Sequence, residues 1–234
     1  MGYLHTRSRF EKDIVTLLDI PKEKLYNLPI GIASIDEILS RPFITDEQAK
    51  RVWGFEGKYV IVIGYNGSPA HNHIKVIKSL VFMKKQLPTN TILVCPMTYG
   101  GNPVYRKKIK RLLWNSQFEN QILENYLTAE ELVCLRKATD LFIHAQNTDA
   151  NSGTIAEYLL CRKKIVNPTW ITYPHYETYG SPFYSFSNFE ELPQAIMKAI
   201  NDTSNKVSPL LTGNISESGW SKLACKWVEL YKKY

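Results

Sequence analysis

The sequence predicts an α/β fold, a doubly wound parallel sheet, and three observations carry that reading. Its strongest apolar runs are short and continuous instead of alternating, as strands buried on both faces are. Helical patterns recur between those runs, the rhythm of repeated strand–helix–strand units. At 234 residues, 44% hydrophobic and 22% charged, the chain has an ordinary globular composition and is long enough for one large α/β domain or a domain plus a small appendage.

Taken in order, Phe10 to Leu18 reads as a helix, Lys24 to Leu28 as a short strand, and Thr45 to Trp53 as a second helix. Pro21, Pro29, Gly31 and Pro42 punctuate them, which makes 1–54 an N-terminal helical and linker segment. The main domain, 55–204, opens on the run Tyr59-Val60-Ile61-Val62-Ile63. Thr91–Cys95 and Asp140–His144 are comparable, and Asn120–Leu123 and Lys164–Val166 are weaker. Helical patterns lie between them over about 71–86, 103–114, 128–137 and 152–161. Thr128-Ala129-Glu130-Glu131 is a capping box, in which a Thr side chain and a Glu side chain satisfy each other's backbone amides. Ser187 to Glu191 starts a further helix, running to Asn201. In the last segment, 205–234, a linker precedes a closing helix that sets Leu223, Trp227, Leu230 and Tyr231 at helical spacing.

Lys and Arg outnumber Asp and Glu by 29 to 22, a net charge of +7. Such a balance attracts nucleic acid, acidic lipid headgroups or a phosphorylated small molecule. No nucleic-acid-binding module accompanies it, so nucleic acid is not an expected partner. Cys95, Cys134, Cys161 and Cys225 form no CxxC pair, which predicts reduced thiols, a cytoplasmic setting and no metal. The N-terminus MGYLHTRSRF lacks the apolar core of a secretory leader. The stretch Arg106-Lys107-Lys108-Ile109-Lys110-Arg111-Leu112-Leu113-Trp114 is a basic helix with a short apolar face. It reads either as a solvated surface or as a contact with an anionic membrane surface, peripheral on the cytoplasmic face.

The chemistry concentrates in two polar loops. His144-Ala-Gln-Asn147-Thr-Asp149-Ala-Asn151-Ser152-Gly153-Thr154-Ile-Ala-Glu157 follows a strand and opens a helix, the crevice where open α/β sheets bind ligands. Asn151 or Ser152 can cap the helix, leaving the N–H groups of Ser152, Gly153 and Thr154 as an anion site. Glu157 stands four residues after Gly153 on the same helix face, within reach of a ribose whose diphosphate the amides hold. The alternative is an ordinary cap with a solvated Glu157. The second loop, Gly64-Tyr65-Asn66-Gly67-Ser68-Pro69-Ala70-His71-Asn72-His73, is a glycine-containing strand-to-helix turn. There Asn66, Gly67 and Ser68 can approach a phosphate closely. Of His71 and His73, two apart, one is expected to cap or line the pocket and the other to lie at the surface. His144 is expected either to face the cleft or to be a buried, hydrogen-bonded histidine.

Asp149 and Glu157 are separated by seven residues, which resembles the E-x7-E element of GT-B glycosyltransferases with Asp in the first position. The resemblance implies a Rossmann-like, C-terminal half of a GT-B architecture with a nucleoside-diphosphate sugar as substrate. Asp149, with Asn147 beside it, would contact the donor sugar. Ser152, Gly153 and Thr154 would hold the diphosphate and Glu157 the ribose. Leu28-Pro29-Ile30-Gly31-Ile32 resembles the segment leading into that half, and Gly219-Trp220-Ser221-Lys222 onward resembles its closing helix. More narrowly, Ile63 to Ser68, Asn72-His73-Ile74 and Val94 to Gly100 resemble the TDP-N-acetylfucosamine:lipid II N-acetylfucosaminyltransferase family. The base would then lie near Met97 to Gly100 and Asn125-Tyr126, and the acceptor would be a glycan or lipid-linked.

The Gly64 loop departs from the family in having no clear basic residue to clamp phosphate, and no catalytic base can be assigned. The resemblance further implies that an acceptor-binding half is supplied in cis or by a partner chain. No cofactor is expected beyond the sugar nucleotide itself. The competing readings are a non-catalytic nucleotide-sugar-binding subunit and a nucleotide-sugar epimerase on the same fold.

Overall fold

The computed structural model describes residues 28–149 and 152–232. The expected helix over 10–18 and most of the expected strand over 24–28 lie outside them. The elements, in chain order, are α1 (Ala33–Leu39), α2 (Asp46–Trp53), β1 (Tyr59–Ile63), α3 (His73–Phe82), β2 (Thr91–Pro96), α4 (Pro103–Ser116) and β3 (Glu119–Leu123). After them come α5 (Ala129–Ala138), β4 (Leu141–Ile143), α6 (Gly153–Leu160), β5 (Lys164–Pro168), α7 (Pro174–Glu177), β6 (Phe183–Phe186), α8 (Leu192–Asn201), α9 (Pro209–Ser216) and α10 (Trp220–Tyr231).

The six strands make one sheet in the order β3-β2-β1-β4-β5-β6, every neighbouring pair parallel. The continuous apolar runs follow from its two covered faces. Successive side chains of a strand point to opposite faces. Val60 and Val62 join Ile35, Phe142, Tyr158 and Leu211 on one side. Ile61 and Ile63 join Ile77, Leu80, Leu113 and Ile196 on the other. The first side is covered by α1, α2, α5, α6 and α9, and the second by α3, α4 and α8.

Capping chemistry sets several helix starts. Thr45 with Gln48 and Thr128 with Glu131 form capping boxes, and Asn102 caps α4. Four elements are absent from the sequence reading: α1, α7, β6 and α9. The cap of α1 is Ile32, which offers no side-chain start signal, and β6 is a four-residue edge strand. Helix α9 lies where the sequence reads as linker.

The closing helix α10 docks on the segment that enters α1. Trp227 Nε1 donates to the Pro29 carbonyl at 3.0 Å, Ile32 N–H to Ser218 O at 2.9 Å, and Ser221 N–H to Asp36 at 3.0 Å. Gly31 makes this approach possible, because a Cβ there would lie 2.6 Å from the Trp220 ring.

Candidate functional site

The chain runs outward from β1 to β2 and β3, then returns to place β4 on the other side of β1. Ligands of open α/β sheets bind at such a reversal, outside the carboxyl ends of the strands. The two polar loops both emerge there, one from β1 and one from β4.

The β1 loop is shaped by its own backbone. Gly64 has φ +63° and donates to Ile143 O at 3.1 Å. Asn66 Oδ1 accepts from Ser68 N–H at 2.8 Å, and Gly67 N–H donates to Tyr99 O at 2.7 Å. The last bond ties the loop to the one after β2. The contact is tight enough to require glycine twice. A Cβ on Gly67 would sit 2.7 Å from Gly100 O, and one on Gly101 would sit 2.1 Å from Gly67 O. Asn72, at φ 55°, ends the loop and joins it to its neighbour. Its Nδ2 donates to Ala145 O at 2.8 Å and to Asn147 Oδ1 at 2.7 Å, while Asn147 N–H donates to Ala70 O at 2.9 Å.

His71 and His73 correct the expectation that one of them is a surface residue, since both are buried. Burial, with His73 and His144 nearby, pulls His71 down to about 3, and burial pulls His73 down to about 4. Both are therefore neutral near pH 7. His73 Nδ1 lies 3.2 Å from the Tyr105 hydroxyl, whereas the His71 ring nitrogens have no hydrogen-bond partner among the described residues.

The β4 loop is held by side chains from elsewhere. His144 is buried at the strand end, with Nδ1 2.8 Å from Asn167 Oδ1 and Nε2 3.4 Å from Asp149 Oδ2. The Tyr173 hydroxyl donates to the same Asp149 oxygen at 2.7 Å. Burial and this carboxylate push the Tyr173 hydroxyl far above the usual phenol range, so it stays a donor. Trp170 Nε1 donates to Gln146 O at 3.0 Å, and Tyr65, crossing from the β1 loop, donates to Gln146 Oε1 at 2.9 Å.

Ser152 occupies the cap position of α6, yet its side chain accepts no backbone hydrogen bond. Its carbonyl takes the Ile155 N–H, and the N–H groups of Gly153 and Thr154 have no acceptor among the described residues. These amides lie at the positive end of the helix dipole, beside the β1 loop, the kind of helix start at which anions bind.

Glu157 shares a face of α6 with Gly153, and that face is covered by α1. A Cβ on Gly153 would meet Ile32 at 3.5 Å, an ordinary contact. Glu157 is 6% exposed, neither solvated nor free. Arg136 Nε, from α5, donates to its Oε2 at 2.7 Å, the Ser34 hydroxyl of α1 donates to Oε1, and Arg136 Nη1 continues to the Tyr158 hydroxyl at 3.1 Å. Arg136 is itself buried, so the ion pair is enclosed.

The residues singled out for a base divide in two. Met97 is buried beneath α3 and α4, and only its backbone is on offer, its N–H donating to Leu123 O at 2.7 Å. Tyr126 is 77% exposed and lies parallel to exposed Tyr99, ring centroids 6.2 Å apart and planes 5° apart. This aromatic pair stands past the ends of β2 and β3, linked to the β1 loop through the Gly67–Tyr99 bond. Sequence reasoning missed Ser34, Arg136 and Tyr173; only the cation of Arg136, set among apolar neighbours in a helical pattern, was a usable signal.

No protein-family model and no curated protein matches the sequence. Solved structures do match it. One is a glycosyltransferase from Rickettsia africae ESF-5, 16% identical, with TM-score 0.71 over 96% of this chain and 61% of that one. A second is Anabaena Alr3699/HepE in complex with UDP-glucose, 16% identical, with TM-score 0.66 over 87% of this chain and 56% of that one. A third is the C-terminal domain of the group 1 glycosyl transferase LpcC from Francisella tularensis, 12% identical, with TM-score 0.56 over 78% of this chain and 93% of that domain. The fold is thus the Rossmann-like α/β fold of GT-B C-terminal domains, as the sequence pattern predicts. The chain spans 61% of the Rickettsia chain and 56% of the HepE chain.

Proposed function

We propose that this chain is the donor-binding half of a glycosyltransferase and binds a nucleoside-diphosphate sugar at the β1–β4 crevice. The observation that carries the reading is the start of α6. Among the described residues the N–H groups of Gly153 and Thr154 have no acceptor, and they stand where the sheet order reverses, between a glycine-shaped loop and the largely covered carboxylate of Asp149. The diphosphate would sit on Gly153 and Thr154, with Ser152 and the Asn66–Ser68 loop around it. Asp149, oriented by Tyr173 and His144, would meet the sugar together with Asn147. The exposed Tyr99–Tyr126 pair suits a nucleobase, since flat rings stack well on aromatic faces. A ribose would reach Glu157 only by sharing Oε1 with Ser34 or displacing it.

Bond cleavage would release the nucleoside diphosphate, with the developing charge stabilised by the fixed amide dipoles. The residues quoted above favour, within this class, a TDP-N-acetylfucosamine type of donor and a lipid-linked acceptor. That the chain spans 61% and 56% of two neighbouring chains favours an acceptor-binding half in cis or as a partner chain. A thermal-shift panel of UDP, TDP, GDP and CMP tests the reading, because a ligand bound only to the native state raises stability by RT ln(1 + [L]/Kd). One nucleoside diphosphate is expected to raise Tm with saturation. A flat response across the panel contradicts the proposal. Release of nucleoside diphosphate from the sugar nucleotide without any acceptor favours the epimerase-type reading.

A further inference from the structure

The charge of this chain is not spread evenly. Residues 57–118 hold ten Lys and Arg and not one Asp or Glu, although the whole chain has 22 acidic residues. This stretch builds β1, α3, β2 and α4, so the excess becomes a property of the α3–α4 part of the helical layer on that side of the sheet.

The outer ridges of that layer are specific. On α4, Ile109, Leu113 and Ser116 face the core, and Val104, Lys107, Arg111 and Trp114 line the opposite side at i, i+3, i+7 and i+10. Trp114 is 84% exposed and Val104 78%. On α3, Val76, Ile77 and Leu80 face inward, while Lys78 and Phe82 point outward, Phe82 82% exposed. Lys84 donates to the Ser116 and Gln117 carbonyls, bringing the ends of the two helices together, so Phe82 and Trp114 stand at the same end of the layer. Lys78, Lys85, Lys107, Lys108 and Arg111 have no acidic partner among the described residues. A solvated face has no use for two bare aromatic side chains among uncompensated cations. An anionic lipid surface takes both, the cations on headgroups and the aromatics in the interface.

We propose that the outer face of α3 and α4 docks this protein on an anionic lipid bilayer. Lys107 and Arg111 supply the attraction, and Trp114 and Phe82 enter the headgroup region. The face runs along the flank of the sheet, leaving the β1–β4 crevice uncovered. The inference therefore does not depend on what the crevice binds.

Flotation of the full chain with vesicles tests it. Binding is expected to vesicles of equal parts phosphatidylcholine and phosphatidylglycerol, to weaken with added salt, and to be absent with phosphatidylcholine alone. The double variant Lys107→Gln/Arg111→Gln should bind roughly 10- to 30-fold more weakly, from the contribution of each basic residue near such a surface. Trp114→Ala should bind more weakly at any salt concentration. Arg51→Gln, an exposed cation of the opposite layer, should bind as the parent does. All these residues are at the surface, and unchanged Tm values identify folded variants. No retention on the anionic vesicles would overturn the proposal, as would equal losses from the Arg51 and Lys107/Arg111 changes. Tighter binding to a DNA duplex than to the vesicles would also overturn it, making the face a nucleic-acid surface instead.

Discussion

The two loops that meet at the β1–β4 crevice are built on opposite plans. The β1 loop is stabilised by backbone bonds and by glycines that let one strand-end turn lie against the next. The β4 loop has few such bonds and is fixed by side chains from the segment after β5, while α6, which it opens, is fixed by side chains that arrive from α1 and α5. Glu157 is held by residues 21 and 123 positions away, and Asp149 by one 24 positions away. A loop of the first kind is rigid whether or not the crevice is filled. In the second kind, the groups that would meet a ligand are the ones that hold the loop.

The largest effect that sharpens this contrast is expected at Glu157. Glu157→Ala leaves the Arg136 guanidinium buried without its partner, a loss of about 3–5 kcal/mol by comparison with other broken buried ion pairs. The change should appear in chemical denaturation as a lowered midpoint. Replacing both partners, Glu157→Leu with Arg136→Met, should restore most of the stability. An Ala variant as stable as the parent would show that the pair is not an enclosed strut.

Acid should act on the β1 loop in particular. The native state holds His71 at about 3 and His73 at about 4, against about 6.5 for an unfolded histidine. The unfolded chain therefore takes up protons first, and stability is intact above pH 6.5 and falls below it. By pH 5 the loss is roughly 2 kcal/mol per histidine. Denaturant midpoints measured from pH 7 to pH 5 should fall steadily, and His71→Phe should flatten the slope. A pH-independent midpoint in the parent would contradict the neutral burial of these rings.

Next in size is Gly101→Ala, which drives a Cβ into the Gly67 carbonyl at a residue with φ +70°. A destabilisation of roughly 1–3 kcal/mol is expected, the cost of one strained backbone site. The companion change in the other loop, Asp149→Asn, should cost no more than about 1 kcal/mol, because Tyr173 can still donate to the amide oxygen. Its effect belongs to binding: calorimetry should show weakened affinity for the intact sugar nucleotide and nearly unchanged affinity for the nucleoside diphosphate. Equal losses for both would move Asp149 out of the sugar position.

The same contrast explains what could be read from the sequence. The buried strand of Tyr59–Ile63, the capping box at Thr128 and Glu131, and the glycine turn after Ile63 are local, and each shows within a few residues. The alternation of strands with helices makes the strands parallel, which places both loops at one end of the sheet. The partners of Glu157 and Asp149 are not local. Nothing near Ser34 or Tyr173 in sequence marks them as contacts of α6 and the β4 loop, and a one-dimensional reading of Glu157 as a helix-surface carboxylate misses the cover that α1 supplies. Met97 fails for a related reason, since the motif containing it is at the crevice while its side chain is directed into the core.

The central claim is that a nucleoside diphosphate rests on the first amides of α6. Amide NMR of the isotope-labelled chain during titration with the nucleotide that stabilises it most is the direct measurement. The largest shifts are expected at the N–H groups of Gly153 and Thr154, with smaller ones over Asn66 to Ser68 and saturation at a single affinity. Saturable binding whose shifts spare Gly153 and Thr154 and fall on the lysines of α4 would contradict the claim, and would mean that the cationic flank, not the crevice, holds the phosphate.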